Sequence, residues 1–158
     1  FSDLVWGCVL PFEAVAYEQG IALEHQITPD LFLLGDEGQL KQLVIILLDN
    51  ACKYSRPGSV IDVSLTTQGD RDAVFSVTSK GTPLTDADTK HIFDRFYRLS
   101  PSRSEVPGYG LGLSIAARAV ARMGGSIAAR HAQPHGLTIQ ITLPKEAQSY
   151  AEDSDCGR

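Results

Sequence analysis

The sequence predicts an α+β fold in which helices cover one face of a mostly antiparallel sheet. Helical segments are few, and segments that alternate apolar and polar residues occur in pairs joined by short turns. With 158 residues and 43% hydrophobic content, the chain can form one packed domain and hardly two.

The first third of the sequence predicts two helices separated by short strands. Apolar spacing predicts a helix within 3–19, with a kink or break at Pro11. "IALEHQI" and "LFLLG" follow as short strands around a turn. The run "QLVIILL" suits a strand or a helix, but Asp36 and Gln39 resemble a capping box, and no Gly or Pro interrupts the segment before Arg56. We therefore expect a helix there.

The remainder predicts two hairpins separated by helices. "VIDVSLT" and "AVFSVTS" form a hairpin around "QGDR", and Thr85 with Asp88 caps a short helix through "IFDRFYR". Residues 99–109 form a loop rich in Ser and Pro, and "LGLSIAARAVARM" forms an amphipathic helix that ends at a Gly-Gly pair. "SIAARHA" and "LTIQITLP" are the last strands. We expect one domain over 1–147 and a polar, disordered tail over 148–158.

Composition disfavours several classes of protein. The net charge is −5, from 14 basic and 19 acidic residues without a basic stripe, so no nucleic-acid partner is expected. The longest apolar run, 43–48, is too short to span a bilayer, and no signal peptide is recognisable. Because the chain opens without Met, we expect a piece of a longer protein. Cys8, Cys52 and Cys156 have no metal-ligand spacing, which favours reduced thiols.

Two motifs carry polar groups that could hold a ligand. In "LLDNACKYS", the side chains of Asn50, Lys53 and Tyr54 share one helical face, and Asn50 offers a neutral oxygen of the kind that Mg²⁺ accepts. In "GYGLGLSI", glycines at alternate positions precede a helix, so their amides could approach an anion. Each motif alone is also explained as a solvated helix end or a flexible loop.

Together, "LLDNACKYS", "IFDRFYR" and "GYGLGLSI" closely resemble the N, F and G2 boxes of bacterial sensor histidine kinases, and the resemblance extends from Leu4 to Pro144. It implies the catalytic, ATP-binding domain of a two-component kinase. The implied fold is a two-layer α/β sandwich of the GHKL ATPase type, with about three helices on one face of a mixed, mostly antiparallel sheet. The implied cofactors are ATP and Mg²⁺.

The resemblance also implies roles for individual residues. Asn50 matches the Mg²⁺ ligand, Lys53 and Tyr54 match residues that contact phosphate and line the pocket, and 99–109 match a mobile lid. The other residues implied at the nucleotide are Ala51, Ser79, Gly81, Leu84, Arg95, Arg98, Gly108, Gly110, Leu111, Gly112, Leu113 and Thr138.

The sequence departs from the family pattern at both ends of this site. Ile46 stands where the family has an Asn that helps to position the phosphates. Ser79 stands where the family has an Asp that accepts a hydrogen bond from adenine, and Pro83 replaces a glycine of the same motif. A hydroxyl can accept that bond without charge, so weaker ATP binding is expected.

The implied partners lie outside this chain. None of the histidines at 25, 91, 131 and 135 has the acidic residue and downstream Pro of a phosphoacceptor box. The acceptor is therefore expected on an upstream helical dimerisation domain of a homodimer, with a response regulator as the next partner. We expect a cytoplasmic domain of a membrane-anchored protein. A degenerate pseudokinase that signals through protein contacts is the alternative. An ATPase or serine kinase of the same superfamily is disfavoured by "FDRFYR".

Overall fold

The computed structural model describes residues 1–81, 83–99 and 110–146. Its elements are α1 (Ser2–Glu18), β1 (Ala22–Ile27), α2 (Glu37–Tyr54), β2 (Val60–Gln68), β3 (Asp72–Lys80), α3 (Asp86–His91), α4 (Gly112–Arg122), β4 (Ser126–His131) and β5 (Gly136–Pro144). The expected lid over 99–109, apart from Leu99, and the expected tail over 148–158 fall on residues outside this description.

The five strands form one mixed sheet in the order β1-β2-β3-β5-β4. β1 runs parallel to β2, and every other neighbouring pair is antiparallel. The parallel pair is possible because α2 connects β1 to β2, whereas the hairpins β2–β3 and β4–β5 need only short turns. The predicted α+β fold class is confirmed.

The two faces of the sheet differ in polarity. On β3, Ala73, Phe75 and Val77 are buried and face the helical layer, because alternate residues of a strand point to the same side. On the opposite, outer face the Ser64 and Ser76 hydroxyls lie 2.7 Å apart, and the Thr78 and Thr138 hydroxyls lie 2.8 Å apart. The core therefore lies between one face of the sheet and the helices.

α2 is the central helix of the helical layer and packs against both α1 and α4. Its N-cap is Asp36, whose Oδ1 accepts a hydrogen bond from the Gln39 amide at 2.8 Å, as the sequence predicts. Leu43, Leu47 and Leu48 are almost completely buried on the side that faces the sheet. The opposite side of the last two turns is left for polar residues. α1 continues through Pro11, so the expected break there is absent.

Two predicted elements are wrong. Residues 31–34 are not a strand, because Leu31 bonds with the start of α1: its amide donates to Ser2 Oγ at 2.9 Å and its carbonyl accepts from the Ser2 amide at 3.2 Å. The short helix ends at His91, so most of "IFDRFYR" forms turns. Phe96 has φ +64°, which a right-handed helix does not allow, and its amide donates to the Gly110 carbonyl at 3.0 Å.

None of the helices in 1–81, 83–99 and 110–146 is both long enough and apolar enough to cross a bilayer.

Candidate functional site

A cavity of about 180 Å³ opens between the C-terminal half of α2, the turns after α3 and the N-terminus of α4. The described residues that line it are Ile46, Asp49, Asn50, Lys53, Tyr54, Ile92, Tyr97, Arg98, Leu99, Gly110, Leu111, Gly112 and Leu113. Its walls therefore come from three segments that are distant in the sequence and that the fold brings together.

The α2 wall supplies an amide and an ion pair. Asn50 and Lys53 both line the cavity and are at least partly exposed, whereas Leu47 and Leu48 are almost completely buried. Lys53 Nζ lies 2.7 Å from Asp49 Oδ2, one helical turn earlier, and both side chains are partly exposed. This wall therefore presents a neutral oxygen ligand beside one cation and one anion.

The α4 wall supplies backbone amides. The helix begins at Gly112, and its N-cap residue Leu111 makes no side-chain capping hydrogen bond. The Ser114 hydroxyl donates to the Leu111 carbonyl at 2.7 Å, so within the described residues neither Leu111 nor Ser114 caps the first amides of the helix. Such amides, with the positive end of the helix dipole, favour an anion. A Cβ at position 112 would lie 3.5 Å from Ile46 Cγ2, in ordinary van der Waals contact.

Gly110 joins the α4 wall to the turns after α3. Its φ is +70°, and a Cβ there would lie only 2.6 Å from the Tyr97 carbonyl oxygen and 2.9 Å from the Phe96 carbonyl carbon. No side chain fits at that separation, so the close approach requires glycine. The motifs "IFDRFYR" and "GYGLGLSI" are thus in direct backbone contact at the edge of the cavity.

Tyr97 holds the third wall in place. Its hydroxyl donates to Asp88 Oδ1 at 2.7 Å, while Asp88 Oδ2 accepts from the Thr85 amide at 2.7 Å. Asp88 is also the third residue of the capping box of α3, so the cavity wall is tied to that helix start. The hydrogen bonds from the Thr85 amide and the Tyr97 hydroxyl hold the pKa of Asp88 below its ordinary value. The same bond to Asp88 raises the pKa of Tyr97.

Eight residues that the sequence assigns to the nucleotide line this cavity: Asn50, Lys53, Tyr54, Arg98, Gly110, Leu111, Gly112 and Leu113. Gly108 lies outside the described residues. Ser79, Gly81, Leu84, Ala51 and Arg95 are not among the lining residues: Ser79 and Ala51 are buried, and Arg95 is exposed. Gly81, at φ +104°, donates its amide to the His135 carbonyl at 2.9 Å beyond the end of β3.

Thr138 does not face the helical layer, so its expected place on the nucleotide side is wrong. The register pairs it with Thr78, and the two hydroxyls lie 2.8 Å apart on the outer face of the sheet. Its neighbour Leu137 pairs with Ser79 and shares the inner face. A shift of one residue along a strand moves a side chain to the opposite face, and strand pairing is not visible in the sequence alone.

Sequence reasoning missed Asp49, Ile92 and Tyr97. It placed Leu99 only in the expected lid, and it treated Ile46 only as a departure from the family pattern. A signal for Asp49 was present, because a spacing of four residues places it on the helical face of Lys53. Ile92 and Leu99 are almost completely buried, and only the turns after α3 bring them to the cavity.

Within the described ranges, no group of three or more His, Cys, Asp or Glu side chains could hold a metal ion. A cation at this cavity would therefore need oxygens from a bound ligand in addition to Asn50. The uncapped amides of α4 and the Asn50 oxygen fit a metal-bound polyphosphate, because Mg²⁺ commonly takes one or two protein oxygens and completes its shell with phosphates and water.

Comparisons with known proteins give a family match and several similar proteins. The family described as "Histidine kinase-, DNA gyrase B-, and HSP90-like ATPase" matches residues 35–147. Sensor protein DltS of Streptococcus agalactiae is 35% identical over 143 residues, which are 90% of this chain and 36% of DltS. The chain thus spans about a third of the length of that relative.

Two solved structures share the fold. The mycobacterial sensor histidine kinase MprB has a TM-score of 0.80 and 30% identity, with 92% of this chain and 95% of that chain covered. Full-length ShkA, solved in complex with AMPPNP, has a TM-score of 0.75 and 25% identity, with 90% of this chain and 29% of ShkA covered. The chain therefore belongs to the histidine kinase-, DNA gyrase B- and HSP90-like ATPase family, and within it to the catalytic domains of bacterial two-component sensor kinases.

Proposed function

We propose that this domain binds Mg-ATP in the cavity between α2 and α4 and transfers the γ-phosphate to a histidine on a helical dimerisation domain of the same protein. The observation that carries the proposal is the meeting of the Asn50–Lys53 face with the uncapped, glycine-flanked N-terminus of α4 in one cavity. The AMPPNP complex of the relative ShkA supports a nucleotide as the ligand.

Each wall of the cavity has a separate task in this mechanism. The amides at Gly110 and Gly112 hold the phosphate oxygens, Lys53 neutralises their charge, and the Asn50 oxygen contributes to the Mg²⁺ shell. The cation, when bound, offsets the charge on the transferring phosphoryl group. In phosphoryl transfer a protein mainly positions groups and stabilises charge, and these residues suit that work.

The nucleophile is proposed to come from outside this chain. His25 contacts Glu13 on α1, His91 contacts Asp94, and His131 contacts Asp86. Neither these three histidines nor His135 line the cavity. A supplied dimerisation domain with an acceptor histidine should therefore become phosphorylated. A response regulator should then receive the phosphate from that histidine. The comparisons give no support to the pseudokinase alternative. A cytoplasmic position within a membrane-anchored homodimer remains part of the proposal.

Calorimetric titration of the 158-residue chain with AMPPNP in Mg²⁺ tests the binding step. Asn50→Ala should weaken the binding of AMPPNP in Mg²⁺ by roughly tenfold or more, because a metal ligand is lost. The same variant should not transfer phosphate from ATP to a supplied acceptor domain. Gln42→Ala removes an exposed amide from the same helix outside the cavity and should change neither quantity. Normal transfer by Asn50→Ala, or acid-labile label on this chain alone, would contradict the proposal.

A further inference from the structure

The phosphate end of the cavity contains an anion that the proposed function does not use. The charged residues among the described lining are Asp49, Lys53 and Arg98. Asp49 Oδ2 lies 2.7 Å from Lys53 Nζ, and its side chain is 48% exposed, so its carboxylate is accessible to a ligand in the cavity.

The carboxylate lies close to the groups that we propose to bind phosphate. Asp49 immediately precedes Asn50 on α2, and its ion-pair partner lies one turn later on the same helix face. A phosphate that attracts the Lys53 ammonium therefore competes with Asp49 for it. The same phosphate also comes close to the Asp49 charge, and like charges at such separations repel.

The sign of this interaction depends on the metal. Metal-free nucleoside triphosphate brings about four negative charges to the site, so the carboxylate opposes its binding. A divalent cation cancels half of that charge and is itself attracted to a carboxylate. The neutral amide of Asn50 can favour the metal complex as a ligand of the cation, but it has no net charge with which to repel the metal-free nucleotide. Ile46, which lies against Gly112, is apolar and cannot repel it either.

We propose that Asp49 is a specificity-determining residue that makes the cavity select the metal complex of a nucleotide over the metal-free nucleotide. This inference rests on the proposed function, because it needs a nucleotide in the cavity between α2 and α4. It assigns Asp49 a task that is separate from holding the base or the sugar. The ion pair with Lys53 then also keeps the ammonium in the cavity before the ligand arrives.

The test is the affinity of the full 158-residue chain for AMPPNP, measured by calorimetry in EDTA and again in saturating Mg²⁺. Asp49→Asn has nearly the same shape as the original residue and removes only the charge. It should reduce the ratio of the metal-free to the Mg²⁺-bound Kd by about fivefold or more, because each unit of charge about 4 Å away in water changes the affinity by about fivefold. A smaller ratio supports the proposal whether metal-free binding tightens or metal-bound binding weakens.

Two variants on the same helix serve as controls. Glu37→Gln removes the same charge from the first turn of α2, outside the cavity, and should leave the ratio unchanged. Asp49→Glu keeps the charge and should retain most of the selectivity, which a purely steric role would not predict.

Three outcomes would overturn the proposal. An unchanged ratio in Asp49→Asn, with tight binding in both conditions, overturns this inference alone and leaves the proposed function intact. Equal weakening in both conditions shows that Asp49 only supports the helix. If the unaltered chain binds AMPPNP in neither condition, the proposed function fails, and this inference fails with it.

Discussion

Gly110 shows how one residue fixes the distance between two motifs. The turns after α3 and the start of α4 touch at this position, with the Phe96 amide bonded to the Gly110 carbonyl at 3.0 Å. A side chain would have to displace the Tyr97 carbonyl, and with it the cavity wall that Tyr97 forms.

Gly110→Ala should therefore destabilise the domain by about 3 kcal/mol, from the left-handed backbone plus the collision. Gly69→Ala is the matched control, because Gly69 has φ +61° but nothing within 4 Å of its added Cβ. The control should lose only about 1 kcal/mol. Urea unfolding measures both values, and equal losses would show that the contact at Gly110 is unimportant.

The buried thiols should be unreactive in the folded domain. Burial raises the pKa of Cys8, and burial together with the Asp49 carboxylate raises the pKa of Cys52 to about 11. At pH 8 neither should form much thiolate, the reactive species. Alkylation by iodoacetamide, followed by peptide mass spectrometry, should modify both residues in urea and spare both in buffer. Rapid labelling of either thiol in buffer would count against the burial described here.

At the scale of elements, α3 depends on Asp88, which caps the helix and accepts the Tyr97 hydroxyl. Its lowered pKa means that its stabilising effect is fully present above the ordinary pKa of 3.8 and is lost as the pH falls through the lowered value. Asp88→Asn should therefore reduce the free energy of unfolding at pH 7. The difference in free energy of unfolding between the variant and the unaltered domain should become smaller in strongly acidic solution.

Urea unfolding at pH 7 and at pH 2.5 measures that difference. Asp70→Asn, at an exposed position in the β2–β3 turn, controls for the loss of one carboxylate. A difference for Asp88→Asn that is the same at both pH values would refute the linkage.

Elements with strong local signals could be predicted from the sequence. α2 has an N-cap at Asp36 and a length that only a helix suits, and β2 and β3 alternate regularly around a polar turn. The failures are segments whose partners are distant in sequence. Residues 31–34 are apolar like a strand, yet Leu31 bonds to Ser2, and "IFDRFYR" is held in turns by Gly110. Propensity cannot anticipate such partners.

At the scale of the whole molecule, the family match begins at residue 35, yet α1 and β1 belong to the same core. Val5 and Val9 of α1 are completely buried, and β1 completes the sheet by parallel pairing with β2. The single tryptophan, Trp6, lies in this first segment, with its ring 4.5 Å from the His25 ring.

We therefore expect one cooperative unfolding transition. Trp6 fluorescence reports on α1 and β1, and far-ultraviolet circular dichroism reports on all helices and strands. The two signals should give the same urea midpoint. Two separate midpoints would show that the first 34 residues unfold independently of the family core.

The site as a whole could be predicted only in part. The motif resemblance identified the α2 and α4 walls, because their residues lie within short, contiguous motifs. It misplaced Thr138 and overlooked Asp49 and Tyr97, because strand register and the cavity boundary depend on pairing across the fold. Ser79 is buried beside Leu137 on the inner face, so whether it can bond a base depends on side-chain packing that no motif specifies.

The outer face of the sheet has a consequence for what can bind there. Hydroxyl pairs such as Ser64–Ser76 and Thr78–Thr138, together with the Asp62–Lys80 ion pair, satisfy one another on that face, and within the described residues no helix covers them. Because these side chains are polar, covering them removes little apolar surface from water. A segment that docked on the sheet side would therefore gain little from the hydrophobic effect.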